Sequence, residues 1–526
     1  MSNRLSQIGQ AIIGSKPMVP PEGDGEETIE VSVPASTAAA LYERVRTTLE
    51  YQEEHLLRRN AITRILRRYL GSDTVLEDMA SLLLQELVWA KYLPNKQVPT
   101  SFINDLKPVF LKYGPIFDAA QKTSNPEYAM TWVLDVLSTE VEYTLISHDR
   151  EEYMASYMYE ELKKRTAWDT KLDVSEEDRD IRLFVACHKT LLKSNHATLR
   201  YRLMTLYYPD WVGASSRARI LEIAQNLETV IATVDLQIEH WLTEKLTHRV
   251  RRKAGLFRVL LDVIENFPHE FEGYVTQEPD LLGRAMWKRL KVQTSTFRKR
   301  LRRTVVRAVA FLFITKMFLA LILEIPYDLL VHGELFIVPL IVNILFHPIF
   351  LAIIGLTVTL PERRNAEDYK SAARALVVGA SHDMLNVKVQ VNRFGAWKQI
   401  FAVVYSLLFF VIYGAIAFFL HKLGFNAFSI ALFLFFLSLV TFFGIRIRGL
   451  TRDIILSKSR RGIIGSMFDL LMLPIVRAGR WLSVKVAKVN VFIYFFDFII
   501  EAPYKVAVRF TEEWFEFVKE KKEELS

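Results

Sequence analysis

A single cysteine, Cys187, stands in 526 residues, which excludes an internal disulfide and any metal site built from several thiolates. Catalytic signatures are equally scarce. The chain holds no H-E-x-x-H, no Walker A loop, no G-x-S-x-G elbow and no G-x-G-x-x-G turn, so the short patterns of zinc hydrolases, P-loop NTPases, α/β-hydrolases and dinucleotide folds are missing. Alternating strands bounded by turn pairs are rare, and no repeat of fixed period marks a solenoid. Residues 1–14 carry Arg4 and the short apolar pair Ile12 and Ile13 but no apolar core of secretory length, so insertion is expected to rely on internal segments.

What the sequence does have is apolar length with little charge in its second half. Four apolar runs, at 304–325, 335–360, 400–420 and 427–445, are close to the roughly 20 residues a helix needs to cross a bilayer core. The bases sort by side. Arg298, Lys299, Arg300, Arg302 and Arg303 precede the first run, Arg363, Arg364, Lys370 and Arg374 follow the second, and Arg446 and Arg448 close the fourth. The connection at 326–334 has no Lys or Arg, and the one after the third run has only Lys422. The positive-inside rule then places both termini in the cytoplasm, with a cell membrane of the bacterial inner type as the simplest host. The net charge of +8 fits cytoplasmic loops beside anionic lipid better than it fits nucleic acid, which is not an expected partner.

The expected fold class is all-α: a polytopic membrane protein with a helical N-terminal domain. Residues 1–35, rich in Pro, Gly and acid, read as a disordered lead-in; 36–297 as a cytosolic helical domain; 298–448 as four membrane helices with a cytosolic loop at 361–399; and 449–526 as amphipathic, membrane-surface helices and a tail. Within the helical domain, Ser36 or Thr37 offers a start for a helix reaching Leu70, and Thr74 with Glu77 forms a capping box. Pro108 predicts a break in the helix that starts at Ser101, Ser175 with Asp178 predicts another start, and 216–246 reads as one long amphipathic segment.

Polar groups inside apolar helices point to function, because a charge at the bilayer centre costs at least ~2.5 kcal/mol. Lys316 lies midway along the first run, and Asn343 and His347, four apart, share one face of the second. Joined by a short connection, these helices are antiparallel, so the three residues can meet. The plain reading is that Asn343 and His347 are hydrogen-bonded helix glue while Lys316 snorkels or packs against the cytosolic domain; the functional one is a site that carries protons or cations. Glu324, Asp328, His332 and Glu334 read as solvated groups at the far mouth, with cation collection as the alternative. Arg298, Lys299, Arg300, Arg302 and Arg303 are candidate contacts for anionic lipid headgroups, while Arg249, Arg251, Arg252 and Lys253 read as a solvated helix face. His188 beside Cys187 makes no nucleophile–base pair at helical geometry, and consecutive Ser381, His382 and Asp383 cannot form a triad.

No cofactor, metal or catalytic activity is expected. The leading expectation is a non-catalytic, membrane-anchored scaffold that binds a protein partner through its cytosolic helices. The alternative is a small cation or proton transporter or channel built on Lys316, Asn343 and His347, working as a homo-oligomer because four membrane helices are few.

Overall fold

A computed structural model of the chain describes residues 4–15, 27–31, 54–71, 78–212, 215–277, 279–358, 362–380, 382–390, 395–450, 456 and 463–488. The described residues are almost entirely helical, and their one sheet pairs two three-residue strands, Thr166–Trp168 and Val387–Val389. The fold is all-α, and four helices are long and apolar enough to cross a membrane. The chain divides into two units, one drawn from Met1–Thr166 and Asp173–Val250, the other from Ala167–Leu172 and Arg251–Val491. The boundary expected at 297 falls instead inside a single 41-residue helix, Pro279–Leu319.

The first unit is organised by the helix Pro126–Leu145. Asn125 caps it, its side chain accepting from the Tyr128 N–H at 3.3 Å, and Pro126 fits the first turn, where no N–H is needed. Apolar residues surround this helix, burying Trp132, Val133, Leu134, Val136, Leu137 and Val141 against neighbours on several sides. Asp135, Glu140 and Glu142 are therefore drawn out of water, and each meets a base from a neighbouring helix. Asp135 accepts from Arg59 at 3.2 Å and from Arg200 at 2.8 Å. Glu142 accepts from Arg58 at 2.8 Å. Glu140 accepts from Lys112, from the Tyr113 hydroxyl at 2.7 Å and from the Trp211 indole at 3.2 Å. Burial pulls the Lys112 ammonium below its ordinary value, with Glu140 opposing the drop.

Several boundaries differ from expectation. The expected disordered lead-in contains a helix, Arg4–Gly14, because Leu5, Ile8 and Ile12 form a buried stripe against Asp149–Lys164, and Arg4 pairs with Glu160 at 2.7 Å. Of the helix expected to reach Leu70, Glu54–Leu70 is described; Ser36, Thr37 and the capping box at Thr74 and Glu77 lie outside the described residues. Ser101–Ala120 is one helix through Pro108, which sits on the exposed side, where a lost backbone hydrogen bond is least costly. Ser175 does cap Glu176–Leu191, accepting from Asp178 N–H at 3.1 Å. The long segment at 216–246 is three helices, Arg217–Gln225, Leu227–Glu239 and the start of Trp241–Asn266. Asn226 ends the first by donating to the Glu222 carbonyl, and His240 starts the last by accepting from Leu242 N–H.

In the second unit, Pro279–Leu319 packs along both Ile337–Leu356 and Glu362–Val378. Close approach is built on glycine: a Cβ on Gly283 would meet the Lys370 backbone at 3.0 Å. The expected loop at 361–399 holds the Glu362–Val378 helix and the strand Val387–Val389. Ile463–Lys488, expected at the membrane surface, is one helix through Pro474 that packs along Ala427–Leu450, where Gly479 abuts the Ser438 carbonyl. The rest of the expected C-terminal segment, from 489 on, lies outside the described residues.

Removing the carboxylate of Glu140 strands a buried ammonium. Glu140→Leu is expected to destabilise the protein by about 3–5 kcal/mol, and Lys112→Met with Glu140→Leu to recover much of that, in denaturant titrations of the detergent-solubilised chain.

Candidate functional site: a buried polar network

The first apolar helix does not end where a proline suggests. Beyond Leu319 it continues through a widened π turn at Ala320–Glu324, a short α stretch at Ile325–Tyr327 and a second π turn at Asp328–His332, stopping at Gly333 with φ +72°. Pro326 lacks an N–H and would break a regular ladder; the widened turns beside it absorb the mismatch. The geometry matters for which residues share a face. Eight residues of α-helix advance about 800°, leaving Glu324 roughly 80° away from Lys316. The extra residue of one π turn takes back roughly 100°, which brings Lys316, Glu324 and Asp328 into near alignment.

All three point inward, with relative exposures of 1, 2 and 2%, and Asn343 and His347 on Ile337–Leu356 are at 0%. Lys316 Nζ donates to Asn343 Oδ1 at 2.8 Å, and Asn343 Nδ2 donates to the Glu324 carboxylate. Asn343 thus bridges a cation and an anion. Lys316 Nζ also lies 3.9 Å from the centroid of the Phe436 ring, on the fourth apolar helix Ala427–Leu450. His347 sets its Nδ1 3.2 Å from the Asn343 carbonyl and its Nε2 3.0 Å from the Phe433 carbonyl, linking the second helix to the fourth. At the far end, Asp328 accepts from Asn426 Nδ2 at 2.6 Å.

The expected trio therefore meets, and Lys316 neither snorkels nor packs on the helical domain but is buried against Asn343 and Phe436. Glu324 and Asp328, expected as solvated mouth residues, are buried members of the network. His332 and Glu334 remain exposed, and no group of three or more metal-ligating side chains forms among the described residues. Helix contact around the network is tight: a Cβ on Gly444 would meet Ile354 at 2.8 Å. The third apolar helix, Gly395–Lys422, joins through the Tyr413 hydroxyl, 2.6 Å from Ser438 Oγ, and Arg477 of the Ile463–Lys488 helix stacks over Tyr405 at 4.6 Å.

Other candidates are placed without being gathered into a site. Arg298, Lys299, Arg300, Arg302 and Arg303 are exposed on Pro279–Leu319 just before its apolar stretch, as lipid contacts require. Lys253, one of the presumed solvated bases, donates to the Met384 carbonyl at 2.8 Å. His382 accepts from Met384 N–H at 3.3 Å, and Ser381 lies outside the described residues. Cys187 is fully buried, which pushes its thiol well above the ordinary range and makes it inert. His188, also fully buried, touches the Phe184 ring at a 4.1 Å centroid distance, and desolvation pulls it down to about 4. No family model matches the chain, and comparisons with curated proteins and with solved structures find no match.

Two outcomes follow. Because His188 has a depressed value when folded, the unfolded chain binds the extra proton. This residue therefore withdraws stability as pH falls below about 6.5, with the loss levelling near pH 4 at about 3 kcal/mol; His188→Phe flattens that part of the pH–stability curve. In the network, Lys316→Met alone strands Glu324 and lowers stability by about 3–5 kcal/mol, whereas Lys316→Met with Glu324→Gln recovers most of it, read by thermal unfolding in detergent.

Proposed function

We propose that the chain is a multi-pass membrane protein that moves a small cation through its apolar helices, with the buried Lys316–Asn343–Glu324 chain as the site. The observation that carries this reading is that Lys316 is buried against Asn343, whose amide bridges it to the Glu324 carboxylate, instead of snorkelling. Structural helix glue requires only neutral hydrogen bonds, which are far less costly in hydrocarbon than ionisable groups. Paired π turns at the same place support it, since such turns gather at functional sites. The base-rich segments fall on one side of the four helices, so both termini belong in the cytoplasm, with the bases at 298–303 against anionic headgroups. Four helices are few for transport, and a homo-oligomer would complete the pathway.

A second reading rests on a different observation: every side chain in the trio already has a partner. On that reading the network is a clip, and the protein is a scaffold that anchors its helical unit, with its own core, for a protein partner.

The test is ion flux into liposomes holding the purified protein under an imposed potential. Transport predicts a potential-driven flux that drops at least tenfold in Lys316→Met with Glu324→Gln, a pair that keeps the fold. A folded wild type without flux of any ion supports the clip instead.

A further inference from the structure

We infer that the seam between the third apolar helix, Gly395–Lys422, and the Ile463–Lys488 helix holds one anionic phospholipid, its phosphate on Arg477. Membrane placement as proposed above is required; transport is not. Depth can be read from contacts between helices. Tyr413 lies beside the centre of the Ala402–Lys422 span, and Ser438 beside the centre of Ala427–Ile447. Their hydroxyl oxygens are 2.6 Å apart, so the two centres are level. Gly479 has no room for a side chain against the Ser438 carbonyl, so the Ile463–Lys488 helix passes close to that level too.

Arg477, two residues before Gly479, leaves its helix about 3 Å from that centre. Its guanidinium carbon lies 4.6 Å from the centroid of the Tyr405 ring. Tyr405 is eight residues, about 12 Å, along the third helix from Tyr413, and half a hydrocarbon core is about 15 Å. The side chain therefore reaches from the middle of the apolar zone towards its edge, as a snorkelling arginine does beneath a phosphate.

The charge has no acid to meet. Among the described residues no carboxylate pairs with Arg477 or with Arg480, whereas Lys316 is joined to Glu324 through Asn343. A tyrosine face attracts a cation but carries no charge of its own, and both arginines are exposed. Leu470, Arg477, Arg480 and Trp481 fall on one face of their helix, with Leu470 and Trp481 53% and 61% exposed. An indole near headgroup depth, a guanidinium fork for two phosphate oxygens and apolar surface for an acyl chain are the parts such a site needs. Val404 and Val411 of the third helix are exposed as well. The lipid's net charge follows from the same shortage of acid. A zwitterionic headgroup would bring an ammonium to two arginines, whereas an anionic one brings the phosphate's charge without it.

The experiment measures the first lipid bound to the full chain in a neutral detergent, by native mass spectrometry with dioleoylphosphatidylglycerol or dioleoylphosphatidylcholine. Phosphatidylglycerol is expected to bind at least tenfold tighter. Arg477→Gln weakens it at least fivefold and Arg480→Gln at least twofold, while Lys422→Gln, which removes a base from the opposite end of the third helix, leaves it unchanged. Melting temperatures without lipid identify the folded variants, and Arg480→Gln carries the test if Arg477→Gln does not fold. Unaltered phosphatidylglycerol affinity in the folded variants overturns the site. Equal affinity for the two lipids overturns the anionic assignment, and full competition by inorganic phosphate replaces the lipid with a free anion. A chain that stays monodisperse in buffer without detergent overturns the lipid together with the membrane placement; loss of lipid binding alone leaves that placement standing.

Discussion

A lysine ammonium buried inside an apolar helix cannot be left without a partner, and much of the second unit's arrangement follows from that constraint. Lys316 is 1% exposed, and the nearest carboxylate along the chain is Glu324. On a regular helix that carboxylate faces aside. The π turn brings it round, Pro326 sits where the regular ladder is already interrupted, and Asn343 fills the space between the two charges with a group that can donate to one and accept from the other. His347, one turn along, then ties the pair to the fourth helix.

The same logic operates in the first unit. The helix Pro126–Leu145 is buried widely enough that three of its acids lose most of their solvent, and each recovers basic partners from neighbouring helices: Asp135 from Arg59 and Arg200, Glu140 from Lys112, and Glu142 from Arg58. Such pairs add little net stability over a well-packed apolar core, but each is satisfied in only one register, which makes the arrangement of helices specific. In both units, then, polar groups that are expensive to bury decide which helix faces which.

The fold class, the four apolar helices and the trio of Lys316, Asn343 and His347 were legible because hydropathy and helical spacing are properties of short windows. The inclusion of Glu324 and Asp328 was not. At α-helical spacing Glu324 does not share a face with Lys316, and Pro326 reads as the start of a loop; only the extra residue of a π turn, which has no sequence pattern of its own, corrects the angle. The helix Arg4–Gly14 was missed for a simpler reason. Leu5, Ile8 and Ile12 are too few to count as a core, and they become one only against Asp149–Lys164. Pro108 misled in the opposite direction, since a proline on a solvated face costs a helix less than one facing the core.

The helix Pro279–Leu319 is an unbroken α-helical rod of about 60 Å. At one end Gly283 lies against the Lys370 backbone with no room for a side chain; at the other the rod meets the π turn. A π turn differs from its α neighbours by one residue of register, and moving that surplus residue one step along the chain swings the azimuth of whatever lies between the old and new positions. A rod without a joint transmits such a twist as torque. A shift of the surplus residue among Lys316, Glu324 and Asp328 would turn that rod as one piece, including its Gly283 face against Glu362–Val378 about ten helical turns away.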